Sequence, residues 1–216
     1  MARPKKIEVF VVIEGGAKGH RADARFREGY RSFLTKIAPN NIKGRPVALE
    51  PIRGEGRTNA HKKFAHQRIL HPNALVILLI DTDAPFTKKQ GVWSFLESRD
   101  HTKKPNWATE SQAYLMVQCV ETWIVADHQT LKAHYGPKFR SSALPSRTGL
   151  EDKPHHDVQK ALENATSTCQ KDKYDHVDSS DLIKIIDPKS IEDLWHVRRL
   201  RVGLRRAIQE FARKNP

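Results

Sequence analysis

The sequence predicts an α/β fold: a mostly parallel sheet flanked by helices, continued by a C-terminal helical extension. Three observations lead there. Residues 75–80, Leu-Val-Ile-Leu-Leu-Ile, form an unbroken apolar run closed by Asp81-Thr82-Asp83-Ala84-Pro85. Residues 7–13 form a second run rich in β-branched side chains, followed by a glycine loop and a helical pattern. This alternation of strand and helix continues to residue 127, the signature of βαβ units around a parallel sheet. An apolar run without polar alternation fits a strand covered on both faces, with a buried helix as the alternative. Pro85 stops a helix, and the run has the length of a strand.

In chain order, the first strand (7–13) ends at Glu14-Gly15-Gly16-Ala17-Lys18-Gly19-His20, after which Ala22, Phe26, Tyr30, Phe33, Leu34 and Ile37 recur at helical spacing. Gly15 and Gly16 permit close backbone approach to a phosphate at the helix N-terminus. Lys18, His20 and Arg21 stand beside that loop as candidate phosphate neutralisers. The loop lacks both the Walker A and the dinucleotide fingerprints, so no nucleotide cofactor is expected. Residues 47–52 form a second strand, followed by the basic loop Arg53-Gly54-Glu55-Gly56-Arg57 and a helix capped by Thr58 that runs to residue 69 or 70. Arg53, Arg57, Lys62 and Lys63 are candidates to line a nucleic-acid groove, although such residues also make an ordinary solvated face. His61, His66 and His71 lack ligand spacing and are read as surface or groove residues with no metal role. A short helix at 90–97, a polar loop to about residue 110, a fourth strand at 113–120 and a helix opening at Glu121 complete this part.

Right-handed crossovers put the carboxyl ends of parallel strands on one edge, where open α/β sheets bind their ligands. Glu14, Asp81, Asp83 and Glu121 therefore converge, from three strand ends. Hard oxygen ligands in that position suit Mg²⁺ or Mn²⁺. Each acid also has an ordinary explanation. Asp-x-Asp before proline is turn chemistry, and an acid in a helix's first turn contributes ~0.3–1 kcal/mol. Their coincidence is what makes the set specific.

Composition narrows the class. The 216 residues are 38% hydrophobic and 29% charged, with a formal net charge of +13. That excess fits a polyanionic partner, DNA or RNA above all. No apolar stretch approaches the ~20 residues that span a bilayer, and no signal peptide is read at the start. Cys119 and Cys169 are two isolated cysteines that make neither a disulfide framework nor a zinc site, so a reducing cytoplasm is expected.

The chain divides, on this reading, into a domain at 1–130 and a basic helical extension at 131–216. In the latter, 138–153 reads as a loop or insertion, and 154–165 and 181–186 read as helices. Residues 190–214 read as a helix opened by Ser190-Ile191-Glu192-Asp193, with the apolar stripe Leu194, Val197, Leu200 or Arg201, Leu204, Ile208 and Phe211. Arg198, Arg201 and Arg205 are its candidate phosphate contacts, with a solvated face or a partner-protein surface as the alternatives.

Val12-Ile13-Glu14-Gly15-Gly16 and Asp81-Thr82-Asp83 together resemble the Toprim superfamily, with its Glu closing the first strand and Asp-x-Asp closing a later one. The motif Glu121-Thr122-Trp123-Ile124-Val125-Ala126-Asp127 is similar to one in the small RloB-like and AbiL-type Toprim proteins of bacteria. The resemblance covers roughly residues 7 to 130. It implies a Mg²⁺-dependent nuclease, with an ATPase partner in anti-phage defence. Asp81 and Asp83 would hold the metal, Glu14 would be a further ligand or the general acid or base, and Glu121 a second-metal ligand. One alternative is a non-catalytic Toprim scaffold that binds nucleic acid or an ATPase. Another is a haloacid-dehalogenase-type phosphatase, whose Asp-x-Asp belongs to its first strand, followed by Thr or Val. Here two strands precede the motif and Ala84-Pro85 follows it.

Overall fold

A computed structural model describes residues 5–15, 20–87, 90–170 and 173–215. The sheet has five strands, β1 (Ile7–Ile13), β2 (Asn41–Ile42), β3 (Arg45–Arg53), β4 (Leu75–Asp81) and β5 (Ala113–Met116), in the order β2-β3-β1-β4-β5. β3, β1, β4 and β5 run parallel, and β2 pairs antiparallel with β3. The fold is α/β with a mostly parallel sheet, as the apolar runs predict.

The two long runs become strands because their side chains are covered on both sides. Val76 to Ile80 of β4 are at most 1% exposed, and burying each such side chain contributes about 1.5–3 kcal/mol. Alternate residues face opposite layers. Val9, Val11, Ile13, Ile77 and Leu79 pack against α1 (His20–Ile37) and the later helices α4 (Val120–Ala126), α5 (His128–Tyr135), α6 (His155–Thr166), α7 (Ser179–Ile185) and α8 (Trp195–Lys214). Val12, Val76, Leu78 and Ile80 pack against α2 (Arg57–Leu70) and α3 (Val92–Asp100). Phe33 of α1 stacks on Trp123 of α4 with ring centroids 5.5 Å apart. Gly29 lets α1 and α7 touch, since a Cβ there would lie 2.0 Å from the Ser180 carbonyl oxygen.

Several boundaries differ from expectation for identifiable reasons. The second strand of the sequence reading is extended to Arg45–Arg53 by the hairpin with β2, whose turn carries Lys43 and Gly44 at positive φ. The fourth strand stops at Met116 rather than residue 120. α8 begins at Trp195, not near Ser190. Its first amides are capped from a distance, by Glu151, which accepts hydrogen bonds from the Trp195 and His196 N–H groups at 3.1 and 3.0 Å. The 138–153 stretch is irregular apart from two 3-10 turns, Ser141–Ala143 and Leu150–Asp152, and it buries Leu144 and Leu150. α5 has no counterpart in the sequence reading.

Candidate functional site

β1 connects leftward to β3 along one face and β3 returns rightward to β4 along the other, so the strand order reverses between β1 and β4. Such a reversal opens a crevice at the strands' carboxyl ends. Glu14 and Asp81 flank it. The Glu14 amide donates to the Leu79 carbonyl at 2.9 Å, which continues the β1–β4 ladder one residue beyond the strand. Gly54 closes the neighbouring strand end, its amide 2.6 Å from the Ile13 carbonyl oxygen. A Cβ at Gly54 would lie 2.7 Å from that oxygen and 2.8 Å from Ala60 Cβ.

The acids form two groups on the two sides of the sheet. On the α2–α3 side, Arg57 Nε lies 3.5 Å from Glu14 Oε1 and 3.6 Å from Asp100 Oδ1, while its Nη2 donates to Asp83. Asp83 is exposed and sits in the left-handed region at φ 50, a conformation that Asp tolerates better than most residues. The turn is pinned from β5: the Thr82 and Asp83 amides donate to the Gln118 carbonyl at 3.0 and 2.9 Å. On the α1–α4 side, Asp81 shares a buried environment with Glu121, Cys119 and Tyr30. Glu121 is wholly buried, beneath the rim rather than on it. Its Oε1 accepts from the Tyr174 hydroxyl at 2.7 Å and pairs with His176 Nδ1.

Electrostatics links the two groups through Asp81, which feels Glu14 and Asp83 as well as Glu121. Burial raises the Glu14 carboxyl to about 7, with Arg57 opposing and Asp83 reinforcing the shift. Burial also raises Asp81 well above the carboxylate range, helped by Glu14 and Glu121. Glu121 goes the other way. Burial would raise it, but His176, Tyr174 and Cys119 outweigh that and hold it near 2.

Asp100 is a site acid that sequence reasoning missed. Its side chain is 4% exposed and is held by Arg99, Arg57 and His61 Nε2 at 3.1 Å. Its only sequence signal is the Arg99-Asp100 pair at a helix end. His61 is accordingly buried against Asp100. Of the two expected places, surface or groove, the surface is excluded.

The expected basic groove is altered. Arg53 turns inward, 8% exposed, pairing with Asp23 at 3.4 Å and Glu55 at 2.8 Å, because the close β1–β3 packing leaves its side chain against α1. Lys63 donates to the Arg53 carbonyl and to Glu55, while Lys62 is exposed. Arg57 faces the acids. On α8, Arg198 and Arg205 are exposed, and Arg201 pairs with Glu192 at 2.7 Å. Gly15 adopts φ 102, as a glycine loop requires. Gly16 and Lys18 lie outside the described residues, as do the side chains of His20 and Arg21, whose backbone opens α1.

A family model described as a domain of unknown function, DUF4276, matches residues 14–205. The chain belongs to this family. The DUF4276 match begins at Glu14 and runs into α8, so it takes in Asp81, Asp83, Asp100 and Glu121. No curated protein and no solved structure matches the chain.

Three buried carboxylate oxygens of this DUF4276 site, Glu14 Oε2, Asp81 Oδ1 and Glu121 Oε2, have no hydrogen-bond partner. Orphaned, desolvated carboxylate oxygens are the donor chemistry of a hard divalent cation, so the residues fit one in kind. Among the described residues, however, no three His, Cys, Asp or Glu side chains are grouped as a set that could hold a metal ion. Also among the described residues, no helix is long and apolar enough to cross a membrane.

Proposed function

We propose that the protein is a Mg²⁺-dependent Toprim-type nuclease that hydrolyses phosphodiester bonds of DNA or RNA. The observation that carries this reading is the pair Glu14 and Asp81, two partly buried carboxylates, each with one buried and orphaned oxygen, at the carboxyl ends of adjacent parallel strands. Like charges buried side by side need a counter-cation or a proton. Asp81 and Asp83 would hold the metal, with Glu14 as a further ligand or the acid–base group. Bound Mg²⁺ would polarise the phosphate and stabilise the attacking and leaving oxygens. Glu14, with its carboxyl near 7 in the metal-free protein, is suited to take a proton from water or give one to a leaving oxygen at neutral pH. Glu121, held ionised by His176 and Tyr174, keeps a fixed negative charge behind Asp81.

The net charge of +13 supports nucleic acid as the substrate class, and the cytoplasm is the compartment this reading requires. The Toprim resemblance adds a role in anti-phage defence with an ATPase partner. The test is cleavage of plasmid, single-stranded DNA and total tRNA with Mg²⁺, Mn²⁺ or EDTA, comparing wild type with Asp81→Asn. Metal-dependent cleavage abolished by the substitution is expected. A second reading, a non-catalytic scaffold, is favoured by Arg57, whose guanidinium already supplies a cation to Glu14, Asp83 and Asp100. Salt-sensitive nucleic-acid binding without cleavage under any metal would select it.

A further inference from the structure

The two peptide groups that join Asp81 to Asp83 are each held at both ends. Arg99 Nη1 donates to the Asp81 and Thr82 carbonyls, at 2.7 Å in each case. The amides of the same two peptide groups, those of Thr82 and Asp83, donate to the Gln118 carbonyl at 3.0 and 2.9 Å. One nitrogen from α3 and one carbonyl just beyond β5 thus grip the turn from opposite sides. An arginine in the last turn of a helix ordinarily serves the carbonyls of that helix or reaches into water. Arg99 does neither. Its side chain is 16% exposed and its guanidinium lies over the Phe95 ring, 4.8 Å from the centroid. Its Nε and Nη2 donate to the two oxygens of Asp100 at 2.5 and 2.8 Å, a bidentate pairing that fixes the plane of the guanidinium as well as its position. With that edge of the fork anchored, Nη1 is aimed at the turn.

We propose that Arg99 is a positioning residue that sets the cation preference of the site: by locking the backbone between Asp81 and Asp83 it makes the pair select Mg²⁺ over the larger Ca²⁺. The directions in which the two side chains leave the main chain follow from the two peptide planes between them, and both planes are pinned. Asp83 also sits at φ 50, a left-handed conformation that persists only where the surroundings impose it. The Arg99 and Gln118 contacts on the peptide group that precedes Asp83 supply that imposition. Rigidity of this kind matters unequally to the two cations. Mg²⁺ demands near-ideal octahedral oxygens at about 2.0–2.1 Å, whereas Ca²⁺ accepts irregular geometry at about 2.3–2.6 Å. A loosened turn therefore harms Mg²⁺ binding first. Lysine could not do the same work, because a single ammonium cannot anchor itself bidentately on a carboxylate and at the same time present a separate, fixed donor to two carbonyls. Asp100 acts through Arg99 and not on the cation, since both its oxygens are engaged, one by Arg99 Nε and the other by Arg99 Nη2 and His61 Nε2.

The inference rests on the metal-dependent reading above and deepens it from the presence of a cation to the choice of one. The experiment measures Mg²⁺ and Ca²⁺ binding to the full chain by calorimetry, with no nucleic acid present, for wild type, Arg99→Lys and Asp100→Asn. Arg99→Lys keeps the charge and removes the fork. It is expected to weaken Mg²⁺ binding about tenfold or more and Ca²⁺ binding about threefold or less. Because Arg99 is largely enclosed, Asp100→Asn is made in parallel; it leaves the guanidinium in place and loosens its anchor, so the ratio of the two affinities should move in the same direction by a smaller factor. Ile208→Val, a buried substitution in α8, is the control for a purely structural role: denaturant unfolding should show lost stability while both affinities stay as in wild type. A Mg²⁺-to-Ca²⁺ ratio unchanged in both site variants, whether the two affinities hold or fall together, overturns the proposal and leaves the cation site standing. A wild-type protein that binds neither cation overturns the nuclease reading, and the proposal with it.

Discussion

The guanidinium of Arg57 lies 3.5 Å from Glu14 Oε1 and also holds Asp83, so one basic side chain bridges a strand-end acid and the exposed acid of the Asp-x-Asp turn. Sequence position alone suggests an outward-facing phosphate contact. In the folded chain Arg57 is the internal counter-ion of three carboxylates, counting Asp100.

Replacing Arg57 with Ala should therefore destabilise the metal-free protein by roughly 1–3 kcal/mol and enlarge the stabilisation that Mg²⁺ produces. Thermal unfolding with Mg²⁺ and with EDTA measures both. A Mg²⁺-induced shift no larger than in wild type would mean that Arg57 and the cation do not share these acids.

The raised Glu14 carboxyl makes a signed pH prediction. Between the unfolded value of 4.5 and the folded value of about 7, the native state holds a proton that the unfolded state has lost, so stability falls as pH rises through this window. The span of about 2.5 units corresponds to roughly 3 kcal/mol for this group. Asp81 is shifted in the same direction. Denaturant unfolding in EDTA at pH 5 and pH 7 should show the loss, and Glu14→Gln should flatten it.

Glu121 carries the opposite sign, and its partner His176 the same sign as Glu14. Glu121, lowered to about 2, contributes stability that is present above pH 4.5 and lost as pH falls towards 2. His176, raised by its hydrogen bond to Glu121, contributes stability present below 6.5 and lost as pH rises through its folded value. His176→Ala should shift the acid unfolding midpoint upward, as followed by circular dichroism. An unchanged midpoint would show that Tyr174 and Cys119 suffice to hold the charge.

Much of this arrangement is legible in the sequence, and the remainder fails for physical reasons. β1 and β4 are readable because burial on both faces imposes continuous apolar runs, and Glu14 and Asp81 are readable because they end those runs. Asp100 sits at the end of a helix, where no pattern separates a site acid from a solvated one. Tyr174 and His176 reach Glu121 across more than fifty residues of chain, a contact that no local pattern records. The start of α8 is misjudged because its cap, Glu151, comes from another segment, and a sequence rule sees only the adjacent Ser190. Arg53 looks like part of a basic loop, yet sheet packing turns it inward.

Gly54→Ala should cost about 2 kcal/mol or more, since the new Cβ meets backbone at 2.7 Å. Gly91→Ala is the control. Its φ of −68 suits alanine and the nearest atom to a Cβ is 3.6 Å away, so the expected cost is only that of alanine at the N-cap of α3, about 1 kcal/mol or less. Chemical denaturation of the two variants decides whether the β3–β1 closure beside Glu14 is as tight as described.

Arg198 and Arg205 are exposed on α8. If they contact phosphates, replacing both with Ala should reduce the slope of log K against log salt for nucleic-acid binding by about 0.7–0.9 for each phosphate no longer neutralised. Arg53→Ala, at a buried and paired position, should lower stability without altering that slope. Fluorescence anisotropy across a salt series measures the binding slopes, and thermal unfolding measures the stability.

Tyr174 and His176 lie well after Glu14, Asp81 and Glu121 in the chain, and this has a consequence for synthesis. A chain leaves the ribosome from its N-terminus, so all the acids are made before Tyr174 and His176, and the α8 amides that Glu151 caps follow later still. A nascent or prematurely terminated chain ending before residue 174 would possess every carboxylate of the site and lack the Tyr174 and His176 contacts of Glu121. The order of translation thus leaves the Glu121 carboxylate without these two partners until residue 176 has been made.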